Sequence, residues 1–237
     1  MSGIIKELEI SPRAIFQLLI STLMIIIVLM GFAPSLYSAL SGEFNTKLLI
    51  HTHALLFLSW MFFYTLQAVL PAIGKLELHI KLGKFGLPLA LILTINGLFV
   101  TFVIFSKFVL RGDVEVARFF LIQPLTDMVV FPLLVIAAIC FRKKPETHKR
   151  LMLLATLMLT IAAIVRIHYL TIPGIKFVIW TLPVLISMAY DYYKKRIIHQ
   201  VYIFGLILFV LIYARTRILN DTVAWTYFTD LMIALVT

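Results

Sequence analysis

This sequence has little charge, few acidic residues and almost no cysteine, and each shortage removes a class of protein. Only 14% of its 237 residues are Asp, Glu, Lys or Arg, against about 25% in soluble globular chains. A water-facing surface of ordinary composition cannot be built from it. The single cysteine, Cys140, rules out an intramolecular disulfide and any zinc site based on paired cysteines, and it fixes no redox compartment. Eleven acidic residues stand against 21 basic ones, a net charge of +10. The basic residues fall in short clusters between apolar runs, which is the pattern of cytoplasmic loops in contact with anionic headgroups and not of a nucleic-acid-binding surface. The chain also lacks the alternating segments of about ten residues that a membrane β-barrel needs; runs such as Leu23 to Met30 are apolar throughout.

What remains is 62% hydrophobic, with a mean hydropathy of +1.05. A span needs about 20 apolar residues, and seven candidates run from Ala14 to Ala33, Leu48 to Leu70, Phe85 to Phe105, Ala117 to Phe141, Leu151 to Leu170, Phe177 to Tyr190 and Val201 to Tyr213. The expected fold is all-α: one polytopic membrane bundle over residues 1–237, with no linker or internal repeat. The first span is preceded by Glu7 and Glu9 and lacks a cleavage pattern, so it reads as retained.

Orientation follows from the basic residues on alternate sides. Lys6, Arg13, Lys75, Lys81, Lys84, Arg142, Lys143, Lys144, Lys149, Arg150, Lys194, Lys195 and Arg196 fall on one side. Lys47, Lys107, Arg111, Arg118, Lys176, Arg215 and Arg217 fall on the other. The richer side is cytoplasmic, which places the N-terminus inside and suggests the inner membrane of a bacterium. The tail from Thr222 to Thr237, with Trp225, Tyr227 and Phe228, reads as a short interfacial helix.

Ionisable residues inside a bilayer cost about 2.5 to 3.5 kcal/mol each on insertion scales, so each one needs a reason. His51 and His53 open the second span, Arg166 and His168 close the fifth, and Gln123 and Asp127 share a face of the fourth. At about 1.5 Å of rise per residue these lie at similar depth toward the outer side. Two histidines on facing helices are the usual way a bundle holds haem b. Here His53 (or His51) and His168 would be the ligands, with Arg166 beside a propionate; copper or zinc on the same histidines, with Asp127 nearby, is the alternative. Asp127 and Arg166 also suit a structural ion pair or a proton relay. His53, Trp60 and Gln67 recur by sevens and form one interior stripe.

A second group, His79, His148, Asp191 and His199, collects on the cytoplasmic side with ligand types suited to zinc or iron. Its neighbours Lys149, Arg150, Lys194, Lys195 and Arg196 would repel an exposed cation. Pro124 and Pro132 in the fourth span and Pro183 in the sixth predict bends. A retinal photoreceptor ranks lower still, because a seven-span rhodopsin needs a lysine in its last span and Val201 to Tyr213 has none.

Three segments together resemble an uncharacterised family of bacterial multi-pass membrane proteins. They are His53-Ala54-Leu55-Leu56-Phe57-Leu58-Ser59-Trp60 with Gln67 and then Leu78-His79 and Leu82-Gly83; His148-Lys149-Arg150-Leu151-Met152-Leu153-Leu154-Ala155-Thr156; and Asp191 followed by His199. The likeness implies this order of spans and no activity. His51-Thr52-His53 is more distantly similar to haem-ligating helices of haem-copper oxidase relatives. The set His79, His148, His199 and Asp191 is analogous in ligand type to the zinc-dependent seven-span hydrolases related to adiponectin receptors and alkaline ceramidases. The expected function is binding of haem b or a metal ion (Zn, Fe or Cu) for redox chemistry or cofactor handling, with a small-molecule or redox partner. A cofactor-free transport or assembly protein and a zinc hydrolase are the alternatives.

Overall fold

The computed structural model describes residues 11–40 and 48–237; the expectations for Lys6, Glu7, Glu9 and Lys47, and for the start of the chain, lie outside the described residues. The described chain is helical in nine segments: α1 (Pro12–Leu40), α2 (Leu48–Val69), α3 (Leu76–Gly83), α4 (Gly86–Leu110), α5 (Val114–Cys140), α6 (Pro145–Arg166), α7 (Ile175–Lys195), α8 (Gln200–Leu219) and α9 (Val223–Ala234). Seven of them, all but α3 and α9, are long and apolar enough to cross a membrane. The protein is thus a multi-pass membrane helical bundle.

Local chemistry sets the helix ends. Pro145 starts α6, where its missing N–H costs nothing, Glu146 faces the positive end of the helix dipole, and Arg166 sits in the last turn where a cation is favoured. The His199 side chain accepts from Val201 N at 3.2 Å to cap α8, and Thr222 Oγ1 accepts from Trp225 N at 3.2 Å to cap α9. Between α2 and α3, Pro71 and a left-handed Gly74 (φ 78°) stop the helix and turn the chain off its axis.

The central element is α6. Some 72% of its spanning stretch is buried, against 28–39% in the other six spans, and it packs on α1, α2, α5, α7 and α8. Two indoles anchor to it: Trp60 Nε1 donates to Thr156 Oγ1 at 3.3 Å and Trp180 Nε1 donates to the Leu157 carbonyl at 2.8 Å. Both tryptophans are fully buried, and a buried indole N–H left without an acceptor would oppose folding. A smaller cluster joins Trp225 of α9 to Phe105, Val109, Ala117, Leu121 and Ile122. There Arg118 bonds Thr229 and Asp230, both at 2.5 Å, and ties the C-terminal helix to α5.

The structure departs from the sequence reading at the ends of spans. The sixth and seventh are longer than expected, because Asp191, Lys194 and Lys195 continue α7 and Arg215 and Arg217 continue α8. Their charges have partners or reach the interface, so they do not end the helix. Residues 76–83, taken as loop, form α3.

Close approach of α1 to α6 requires Gly31. A Cβ there would lie within 2.7 Å of Ala163 Cα and collide with the Ala163 carbonyl, which is backbone and cannot swing aside. Gly31→Ala is therefore expected to cost about 1–3 kcal/mol as overpacking. Ala33→Val, at an exposed position of the same helix, should be close to neutral. Thermal unfolding in detergent, followed by size exclusion, compares the two.

Candidate functional site

At the end of the bundle rich in basic residues, two imidazoles approach each other with one ring nitrogen each left open. His79 on α3 donates through Nδ1 to the Gln67 carbonyl of α2 at 3.1 Å, and His148 in the first turn of α6 donates through Nδ1 to the Ala138 carbonyl of α5 at 2.7 Å. Their rings stand 6.3 Å apart between centres, with planes at 79°. Both are half-buried. With each Nδ1–H held by a carbonyl, the lone pair of a neutral imidazole lies on Nε2. No described residue engages either Nε2. The side chain of Gln67, whose main-chain carbonyl receives His79, is buried, and neither its Oε1 nor its Nε2 has a partner among the described residues. Loss of solvation on burial lowers the His79 pKa below its ordinary 6.5, opposed by the Gln67 carbonyl and reinforced by His148. His79 is thus neutral at pH 7.

Next to this pair lies a network that neutralises most of the local positive charge. Arg150, 2% exposed, is paired with the Asp191 carboxylate of α7 and donates to Glu146 Oε2 at 2.7 Å. Tyr202 of α8 donates to Asp191 at 2.7 Å, and the guanidinium lies 5.0 Å over the Tyr202 ring. Glu146 also receives Lys195 at 2.9 Å and Lys149 at 3.0 Å. Hence Asp191, expected among metal ligands, is held by an arginine and a phenol, and the His199 ring caps α8. Burial and then the nearby Arg150 cation lower the His199 pKa. Of the four cytoplasmic candidates the structure brings His79 and His148 into ring contact and engages the other two elsewhere. Among the described residues, no three His, Cys, Asp or Glu side chains form a group able to hold a metal ion.

The residues expected at equal depth on the outer side divide into two groups. His53 Nδ1 lies 2.8 Å from Asn96 Oδ1 of α4, and Arg166 is within electrostatic range of His53. Arg166 donates to the Ala162 carbonyl at 2.5 Å and lies 4.9 Å over the Phe32 ring. His168 occupies the exposed turn after α6, and His51 is exposed in the first turn of α2. Asp127 belongs to the other group, and the expected pairing with Arg166 is corrected: its carboxylate accepts from Arg215 of α8 at 2.6 Å, both residues being buried. The α5 face bearing Gln123 and Asp127 turns to α8, which spacing along a helix cannot show. Trp60 of the expected stripe is a helix-to-helix bond; Gln67 is not.

Sequence reasoning missed Asn96, Arg215 and Tyr202. Arg215 had a detectable signal, since it lies two residues beyond an apolar run that was already short for a span. Asn96 and Tyr202 carry none, because a lone asparagine or tyrosine within a span is most often a structural bond.

No family model, curated protein or solved structure matches this chain, so a reading of function rests on the geometry above.

The corrected ion pair has a measurable consequence. Removing one partner of a buried pair strands the other charge, at about 3–5 kcal/mol. Asp127→Asn should therefore destabilise the bundle strongly, and adding Arg215→Gln should recover a large part of the loss. Arg166→Gln added to Asp127→Asn should be additive. A double-mutant cycle read by chemical unfolding in detergent decides, and coupling to Arg166 instead of Arg215 would refute the pairing.

Proposed function

We propose that this chain is a bacterial inner-membrane protein that holds haem b or a transition-metal ion (iron, copper or zinc) through His79 and His148, in redox chemistry or cofactor handling. One observation carries the reading: two adjacent imidazoles have each committed Nδ1 to a main-chain carbonyl, which leaves both Nε2 atoms as ligands. This is the support that metal-bound histidines characteristically have, because it fixes ring orientation and raises basicity. The two rings are 6.3 Å apart between centres, within reach of a single ion that both would hold at metal–nitrogen distances of about 2.0–2.1 Å.

The surroundings fit such a group. The side-chain amide of Gln67, the residue whose main-chain carbonyl receives His79, is buried without partners among the described residues; such groups otherwise oppose folding by about 1–3 kcal/mol. Repulsion from Lys149, Arg150 and Lys195 is offset, since all three are paired with Glu146 or Asp191. A bound iron or copper would supply one-electron transfer. His79 and His148 would hold it through their Nε2 atoms, and the Gln67 carbonyl orients the His79 ring. The outer alternative, His53 with His168, is less favoured because His168 lies on an exposed turn. A zinc hydrolase would need a third protein ligand, which Asp191 and His199 are not free to become. The second reading, a proton-coupled carrier without cofactor, is favoured by the buried Asp127–Arg215 pair on a helix carrying Pro124 and Pro132.

The test is an oxidised and reduced absorption spectrum of detergent-purified protein, with metal analysis of the same sample. A Soret band with reduced α and β bands, or stoichiometric metal, is expected in the wild type and should vanish in both His79→Ala and His148→Ala while surviving in His168→Ala. Because burial favours the neutral form of His79, acidification should reduce occupancy only below the ordinary imidazole range. A colourless, metal-free sample from cells replete in haem and metals would discard this reading for the carrier. Loss in His168→Ala alone would restore the outer site.

A further inference from the structure

None of the eight residues of α3 is buried, although it lies between two spans of a bundle. Its apolar side chains need a covering. Leu76 and Ile80, four residues apart and so on one side of the helix, are 55% and 58% exposed; Ile73 before the helix and Phe85 after it are 44% and 63% exposed. His79, Leu82 and Gly83 are half-buried and face the bundle, Glu77 and Lys81 lie on an exposed side, and Leu78, 43% exposed, stands between Lys81 and Leu82 around the helix. Lys75 and Lys84 flank the helix, so the segment from Pro71 to Phe85 carries three lysines against one glutamate. None of the three lysines has an ion-pair partner among the described residues, unlike Lys149 and Lys195 nearby.

An apolar side, a basic margin and a polar outer side are the composition of a helix lying in the plane of a membrane surface. The preceding Pro71 and left-handed Gly74 interrupt the helix between α2 and α3, a break that permits such a placement. Charge selects the covering: lysines without ion-pair partners among the described residues, beside exposed leucine and isoleucine, complement a leaflet surface of net negative charge and gain little from zwitterionic headgroups. We infer that α3 is an anionic-lipid-binding helix, seated by Lys75, Lys81 and Lys84 on acidic phospholipid headgroups of the leaflet at the basic end of the bundle. The seat matters because His79 is the side chain that ties α3 to α2, through the Gln67 carbonyl. Anionic lipid thereby stabilises the presentation of His79 to His148, and this consequence alone rests on the function proposed above.

Hydrogen exchange of the full chain in nanodiscs reads the seat without reference to any cofactor. In phosphatidylcholine with phosphatidylglycerol, the α3 amides, including the His79 N–H bonded to the Lys75 carbonyl at 3.0 Å, should exchange about tenfold more slowly than in phosphatidylcholine alone. The variant Lys75→Gln/Lys81→Gln/Lys84→Gln should lose that difference while α6 amides keep their protection. Equal α3 protection in both lipids overturns the inference, and in that case a protein partner becomes the better candidate. If the triple variant fails to fold, the two-lipid comparison on the wild-type chain still decides. Lipid-dependent protection in a protein that binds neither metal nor haem would sustain the lipid seat and sink the cofactor reading.

Discussion

Burial of Arg150 is the constraint on which much of the bundle depends. It stands one turn into the most buried helix, and a guanidinium cannot give up its charge to enter a low-dielectric interior, because its pKa is too high. It must be paired instead. Asp191 from α7, Glu146 from its own helix and Tyr202 from α8 converge on it. The Asp191 and Tyr202 contacts fix α7 and α8 against α6 at one height. Apolar side chains fix register poorly in lipid, where burying them against a neighbour gains little over leaving them in hydrocarbon. A planar group with five directed donors fixes it well.

The same rule governs the other end of the bundle, and the exception to it is informative. Asp127 and Arg215 neutralise each other between α5 and α8, and the Trp60 and Trp180 indoles each find an acceptor on α6. Against that background the Gln67 side chain, buried with both polar atoms unengaged among the described residues, is out of character. A chain that satisfies an arginine with two carboxylates could satisfy an amide with one threonine. That the main-chain carbonyl of this same residue orients His79, whose Nε2 and that of His148 are both open, is the physical reason for locating the candidate site there and not among the better-bonded polar groups.

The spans were legible because hydrocarbon imposes their length and composition without regard to tertiary detail. Their ends were not, since whether Arg215 continues a helix depends on Asp127, 88 residues away. Depth can be counted along each helix, and the outer residues were grouped by depth. Azimuth cannot be counted in the same way, and it is azimuth that gives Asp127 to Arg215 and leaves Arg166 over Phe32. His79 and His148 were legible as neighbours because topology brings one connection and one helix start to the same end. The roles of Asp191 and His199 were hidden, since a carboxylate that could bind a metal and one that holds an arginine look identical in sequence.

Nδ1 bonding therefore separates these histidines better than depth or motif does. In His199 the ring accepts a main-chain N–H, so Nδ1 carries the lone pair, the ring is spent as a helix cap, and Nε2 bears the proton. In His79 and His148 the ring donates to a carbonyl, so the lone pair is on the far nitrogen and directed away from the backbone. The first arrangement completes a helix; the second orients a ligand. Among three histidines of identical residue type at one end of the bundle, the partner of a single ring nitrogen decides which can hold a cofactor.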